Sequence, residues 1–289
     1  MVISLEEPTL NDIAITRRVV AERAAGRNRA YFVGIDRSWR QRVQLYLDVF
    51  GNPEIIGDSI VDVGDSGKFI NLYVHPKDDS IQKIEVLDVI RSHGLDYCPA
   101  CGEDGYPRTL DHYLPKEKFP EFSILSRNLA PMCDICQGAK LAKTLTTNQE
   151  KIFLHPYYDR LVNVQVFKAD IIPPFNTGTT THLRINVDVQ PDGLRSLCQR
   201  HSDEMGIPSR YQTYFRMQYI RLKKLFEERR GGGAINVDDV VSRVTDFQSL
   251  ALLKACNSWD HVFYTSVIDN PDLLQFLATG DLRIVGDFT

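Results

Sequence analysis

The sequence predicts an α+β protein organised around a small cysteine-stapled module, and three observations predict it. Two Cys-x-x-Cys pairs, Cys98/Cys101 and Cys133/Cys136, bracket a segment that contains Asp111-His112 and Asn128-Leu129-Ala130-Pro131. Short alternating stretches bounded by Gly, Pro and Asn read as strands around 59–74, 109–112 and 161–189. The remainder carries helical periodicity with recognisable caps.

Composition sets the class. The chain has 289 residues, 43% hydrophobic and 25% charged, which is ordinary for a folded globular protein with a sizeable core. It has no apolar run of the ~20 residues that span a bilayer, and MVISLEEPTL lacks the regions of a signal peptide, so no membrane is expected and the expected compartment is the cytoplasm. Cysteines paired at short spacing in a reducing compartment favour a metal over disulfides. The net charge of −4 is awkward for a protein that approaches phosphates, but charge is local, and Arg17, Arg18, Arg23, Arg27 and Arg29 cluster against Glu22. That cluster reads either as a backbone-tracking face or as a solvated helix surface.

In chain order, Asn11 caps a helix through Ala24 that Gly26 ends, and Ser38–Phe50 is a second helix stopped by Gly51 and Pro53. Ser59–Val63 and Lys68–Val74 flank Gly64-Asp65-Ser66-Gly67, which predicts a hairpin. Ser80–His93 returns to helix on Ile81, Ile84, Leu87 and Ile90. Residues 1–94 thus form an expected N-terminal α+β region.

The centre carries the chemistry. Two Cys-x-x-Cys turns supply the four soft ligands of tetrahedral zinc, and four thiolates leave no open position, so Cys98, Cys101, Cys133 and Cys136 are expected to hold a structural Zn2+. Nothing around them resembles a redox βαβ unit. Thr109-Leu110-Asp111-His112 reads as a short strand that ends in a carboxylate beside an imidazole. That pairing can hold a hard metal and activate water.

On these residues, with Tyr113-Leu114-Pro115-Lys116, Phe119-Pro120-Glu121-Phe122-Ser123-Ile124-Leu125, Asn128 to Pro131 and Lys140, the sequence resembles the HNH endonucleases, in the branch whose ββα-metal motif is clamped by a four-cysteine zinc. The resemblance implies a zinc-stapled ββα-metal module over 95–160. It implies that Asp111 binds a catalytic Mg2+ or Mn2+ ion, that His112 is the general base and that Asn128 orients the histidine strand. The bland reading of Asn128 is an Asx turn that enters a strand. The departure is Gln137, where that family usually has asparagine or histidine as a second metal ligand; glutamine offers the same amide oxygen on a longer stem. His155, in Phe153-Leu154-His155-Pro156-Tyr157-Tyr158-Asp159, is a candidate to reach the scissile phosphate or the metal, or else part of a Pro-anchored turn. Lys140 is either a phosphate contact or a solvated helix residue.

After the module, 161–171 and 182–189 read as strands joined by Pro173 to Gly178, and helices follow over 193–205, 208–229, 237–255, 260–268 and 271–277. Residues 161–289 are thus a small sheet followed by a helical region. In 208–230 the aromatic face of Tyr211, Tyr214, Phe215, Tyr219, Leu222, Leu225 and Phe226 is expected to be core, leaving Arg216, Lys223 and Lys224 for nucleic acid or for water. Cys198 and Cys256 read as ordinary thiols. The expected function is metal-dependent cleavage of DNA phosphodiesters, and by resemblance a restriction or anti-phage role alongside other subunits of a defence system. The alternatives are a non-catalytic zinc module that binds nucleic acid or protein, and a nuclease that acts on RNA.

Overall fold

The computed structural model describes residues 2–161, 164–176 and 179–283. Two compact units divide the chain: Ile3–Ala100 with Gly105–Arg160, and Cys101–Asp104 with the chain from Leu161 onward. Both are built from helices and small antiparallel sheets, so the class is α+β.

In the first unit α1 (Asp12–Arg23) starts where the Asn11 side chain accepts the Ala14 N–H at 3.0 Å. Helix α2 (Arg29–Asp48) begins well before the expected Ser38, because Asn28 offers no side-chain cap to mark its start. Its buried residues Phe32, Trp39, Val43 and Tyr46 lie along one face.

The expected hairpin over 59–74 is a correction. A turn of 3-10 helix (Val63–Asp65) leads into α3 (Ser66–Val74). The apparent alternation hides a helical spacing in which Phe69 and Leu72 are buried one turn apart and Tyr73 follows. Phe69 sits edge-on to Trp39 at 4.8 Å and to Phe32 at 5.5 Å, and this aromatic packing decides the element over its local β propensity. Among the described residues no strand precedes residue 109, so the N-terminal region is helical rather than α+β.

The expected helix over 80–93 is present with one change: Lys83–Leu87 is π-helical and passes directly into α4 (Asp88–Arg91). The wider turn rotates Ile84 outward, 52% exposed, and leaves Val86, Leu87 and Ile90 as the buried positions.

Strands β1 (Thr109–His112) and β2 (Leu129–Met132) pair antiparallel, with Asp111 opposite Ala130 and His112 opposite Leu129. Helix α5 (Asp134–Lys140) follows at once. The loop between the strands is pinned by the N-terminal helices. Glu121, buried, accepts from Arg42 Nε at 3.0 Å and Ser59 Oγ at 2.6 Å, and its carbonyl accepts the Trp39 indole N–H at 2.8 Å. Asp12 accepts from Ser126 N and Ser126 Oγ, each at 2.9 Å, and from Arg127 Nη1 at 2.7 Å. Each buried carboxylate is thereby paired and hydrogen-bonded, as burial of a charge requires.

In the second unit β3 (Phe167–Ile172) and β4 (Thr180–Ile185) form an antiparallel hairpin, shorter than the expected strands. Residues Val162, Asn163, Thr177 and Gly178 of those expected elements lie outside the described residues. Helices α6 (Asp192–Glu204), α7 (Ile207–Arg230), α8 (Val237–Leu252), α9 (Trp259–Ile268) and α10 (Pro271–Thr279) fall within a few residues of expectation. Asn236, Ser258 and Asn270 cap the last three through their side chains. Gly206 at φ 62° and Gly231 at φ 55° bound α7, conformations in which a Cβ is strained.

Candidate metal and catalytic centre

The four cysteines of the two knuckles lie together, every Sγ within 4.8 Å of the others, and three are buried. Tetrahedral zinc with Zn–S bonds of about 2.3 Å places its sulfurs roughly 3.8 Å apart, so the group fits that ion. The surroundings suit thiolates: Cys133 N–H points to Cys98 Sγ at 3.3 Å, Cys136 N–H to Cys133 Sγ at 3.4 Å, and Arg210 Nη2 to Cys101 Sγ at 3.4 Å. Gly102 holds φ 84°, and a Cβ there would fall 2.1 Å from Asn257 O, so the residue after Cys101 must be glycine. These four cysteines can hold zinc.

Just beyond, at the end of β1, Asp111 and His112 are both nearly inaccessible. His112 Nε2 lies 2.9 Å from Ser123 O, and since a carbonyl only accepts, Nε2 carries the proton. Among the described residues Nδ1 has no hydrogen-bond partner, so its lone pair is available. Burial lowers the His112 pKa to about 3, which keeps the ring neutral at physiological pH. The ring packs edge-on against Tyr73 at 4.4 Å, and Tyr73 Oη donates to Leu110 O at 2.9 Å. Tyr73 was not legible as a site residue because its segment reads as a strand.

Asp111 forms an ion pair with Lys140 Nζ at 3.0 Å, and the same ammonium donates to His112 O at 2.7 Å. Burial raises the Asp111 carboxyl, against which the Lys140 charge pulls it down. Lys140 is 1% exposed and faces inward, with the Phe153 ring 5.9 Å from its ammonium. This placement fits neither sequence reading of it, a phosphate contact or a solvated surface.

Asn128 is fully buried and saturated. Its Oδ1 accepts from Leu114 N at 2.7 Å and Tyr46 Oη at 3.1 Å, while Nδ2 donates to Leu114 O at 3.0 Å and Phe122 O at 3.2 Å. It braces both ends of the loop that supplies Ser123.

His155 lies beneath this network. Its Nδ1 accepts from Tyr157 N at 3.1 Å and Tyr158 N at 3.3 Å, so Nε2 donates to Tyr46 Oη at 3.0 Å. Both nitrogens are engaged, the residue is 0% exposed, and the contact runs through Tyr46 to Asn128 rather than to solvent.

A cleft of about 420 Å³ opens over Asp111 and His112, lined also by Pro115, Lys116, Glu117, Gln137, Leu141 and Ala142. Gln137 is half-buried and lines the cleft, with Nε2 3.5 Å from Leu110 O, and its amide oxygen is a hard donor. The cleft therefore gathers Asp111, His112 and Gln137, with Lys140 buried and paired to Asp111, while Asn128 and His155 do not line it. Arg216 and Lys224 are exposed, but Lys223 is 2% exposed, directed at Asn176 O at 3.4 Å and held 5.4 Å from the Tyr219 ring centroid.

One pH dependence follows from the buried rings. Burial also lowers His155 well below the usual histidine range. Unfolding releases both histidines to protonate, so their contribution is complete above pH ~6.5 and declines as pH falls toward their folded values. Between pH 6.5 and 5, urea unfolding is expected to lose about 1.4 kcal/mol per pH unit for each histidine. Asp12 and Asp111, raised by burial, oppose this at the acid end. Stability that is flat across that window would contradict two neutral buried rings.

No family model matches the chain, and no solved structure matches it. Among curated proteins, Protein ea31 of Escherichia phage lambda is 34% identical over 130 residues, which cover 43% of this chain and 42% of that protein. The chain thus matches less than half the length of that relative. No described helix is long and apolar enough to cross a membrane.

Proposed function

We propose that this protein is a metal-dependent endonuclease of the HNH type that hydrolyses DNA phosphodiester bonds, with Cys98, Cys101, Cys133 and Cys136 holding a structural zinc. The observation that carries the reading is the neutral His112, its Nε2 fixed on Ser123 O and its Nδ1 free, beside Asp111 in an open cleft. Nδ1 takes a proton from water as the water oxygen attacks phosphorus and the bond to the leaving oxygen breaks. Asp111 and Gln137 offer the oxygen donors that suit Mg2+ or Mn2+. A divalent ion there supplies charge stabilisation on the phosphate oxygens. Asn128, braced by Tyr46 and His155, fixes the loop that orients His112. Arg216 and Lys224 are the exposed cations proposed to meet the DNA backbone.

We place this chemistry in the cytoplasm, in a restriction or anti-phage setting with partner subunits. Incubating the purified protein with plasmid and with total RNA, each with Mg2+, Mn2+ or chelator, tests the reading. Cleavage of plasmid with metal supports it. Cleavage of RNA alone reassigns the substrate, and no cleavage of either leaves a non-catalytic zinc module.

The glutamine at 137 gives a separate expectation. Its stem loses more rotamer freedom than asparagine on binding an ion, so Gln137→Asn is expected to lower the metal concentration for half-maximal cleavage roughly threefold, with zinc content unchanged. An unmoved or weakened titration would place Gln137 outside the metal site or show it well adapted.

A further inference from the structure

We infer that Lys140 makes loading of the catalytic metal depend on the substrate phosphate. The inference rests on the nuclease reading and concerns the charge of the cleft. Asp111 is the carboxylate at its floor, and Lys140 Nζ already lies 3.0 Å from its Oδ2. At the rim, Lys116 and Glu117 pair with each other at 2.7 Å. His112 is neutral. Asp111, Lys116 and Glu117 line this space, and with Lys140 buried behind Asp111 the four charges sum to zero before any ion enters.

Lys140 cannot simply swing away. Its ammonium is also tied to His112 O at 2.7 Å, and its side chain is buried under the α5 turn. An incoming divalent cation keeps only the unpaired oxygen of Asp111 and meets a fixed positive charge within a few ångströms. At an effective dielectric of about 20 such like charges repel by several times thermal energy. A DNA phosphodiester brings the missing negative charge, so metal and DNA each strengthen the binding of the other by the same factor. A site built this way stays largely empty in the free protein and assembles on the substrate. The cause differs from a long Gln137 stem, because it acts through charge and is removed by neutralising Lys140 alone.

The test reads Mn2+ binding directly by electron paramagnetic resonance. Zinc-loaded protein is titrated with MnCl2 at one fixed pH for every variant. A His112→Ala background keeps the DNA duplex intact, and Asp111→Ala identifies signal from this site. Lys140→Met is expected to bind Mn2+ roughly tenfold or more tightly than the parent without DNA. The parent and Lys140→Arg are expected to tighten by a similar factor only when duplex is added, and Lys140→Met to gain little from it. Zinc content and circular dichroism report folding of each variant. Mn2+ affinity in Lys140→Met equal to or below the parent overturns the role of Lys140. So does parent affinity that is indifferent to DNA, a result that needs no Lys140 variant. Absence of any Asp111-dependent Mn2+ signal, with or without DNA, overturns the nuclease reading itself.

Discussion

Cys136→Ser is expected to abolish the cooperative unfolding of the central module, and the wild type is expected to carry close to one zinc per chain after mild chelation. The reason is the small apolar content of β1, β2 and α5: four residues, four residues and seven residues cannot bury enough surface to stand alone. A zinc held by the four cysteines would tie Cys98, ahead of β1, to Cys133 and Cys136, which open α5. A structural zinc contributes ~10 kcal/mol or more, comparable to the whole stability of a domain. Cys136 is 0% exposed, so serine also leaves a buried hydroxyl among thiolates. Thermal melts of Cys136→Ser and of chelator-stripped protein should both lose the wild-type transition. A metal-free preparation that melts like the wild type would defeat this claim.

The second large effect is on turnover. His112→Ala removes the proposed proton acceptor, and loss of a general base typically costs roughly 10² to 10⁴ in rate. The substitution also deletes a ring packed on Tyr73, so some stability is lost, while the four cysteines remain in place. Cleavage should therefore collapse while zinc content and DNA affinity hold. His155 offers no substitute, because Tyr157 N, Tyr158 N and Tyr46 Oη occupy both of its nitrogens. Full activity in His112→Ala would move the chemistry out of this cleft.

Local chemistry explains which parts were legible in the sequence. Helices with Asn11, Asn236 or Asn270 at their starts were readable because a cap is a short-range hydrogen bond. The Cys-x-x-Cys turns were readable because their spacing alone brings two sulfurs together. Segment 68–74 reads as a strand because a stretch this short carries too few repeats to separate period 2 from period 3.6, and the contacts that make it helical come from Phe32 and Trp39 far earlier in the chain. Lys140 and Lys223 read as candidate surface cations in the sequence for the same kind of reason. A lysine is buried only when the fold brings it acceptors, here Asp111 and His112 O for one and Asn176 O for the other, and no local pattern records that. Tyr46 joins Asn128 to His155 across more than eighty residues of chain, a relation that only the folded molecule displays.

The central claim is that one cleft, floored by Asp111 and His112, hydrolyses DNA with a divalent ion while the zinc stays structural. Single-turnover cleavage of a DNA duplex across a Mn2+ series, for wild type and Asp111→Ala at matched zinc content, measures it most directly. Wild type should show saturable, chelator-sensitive cleavage, and Asp111→Ala should show none at any Mn2+ concentration. Metal-dependent cleavage that survives Asp111→Ala, or a wild type that leaves the duplex intact throughout the series, would contradict the account.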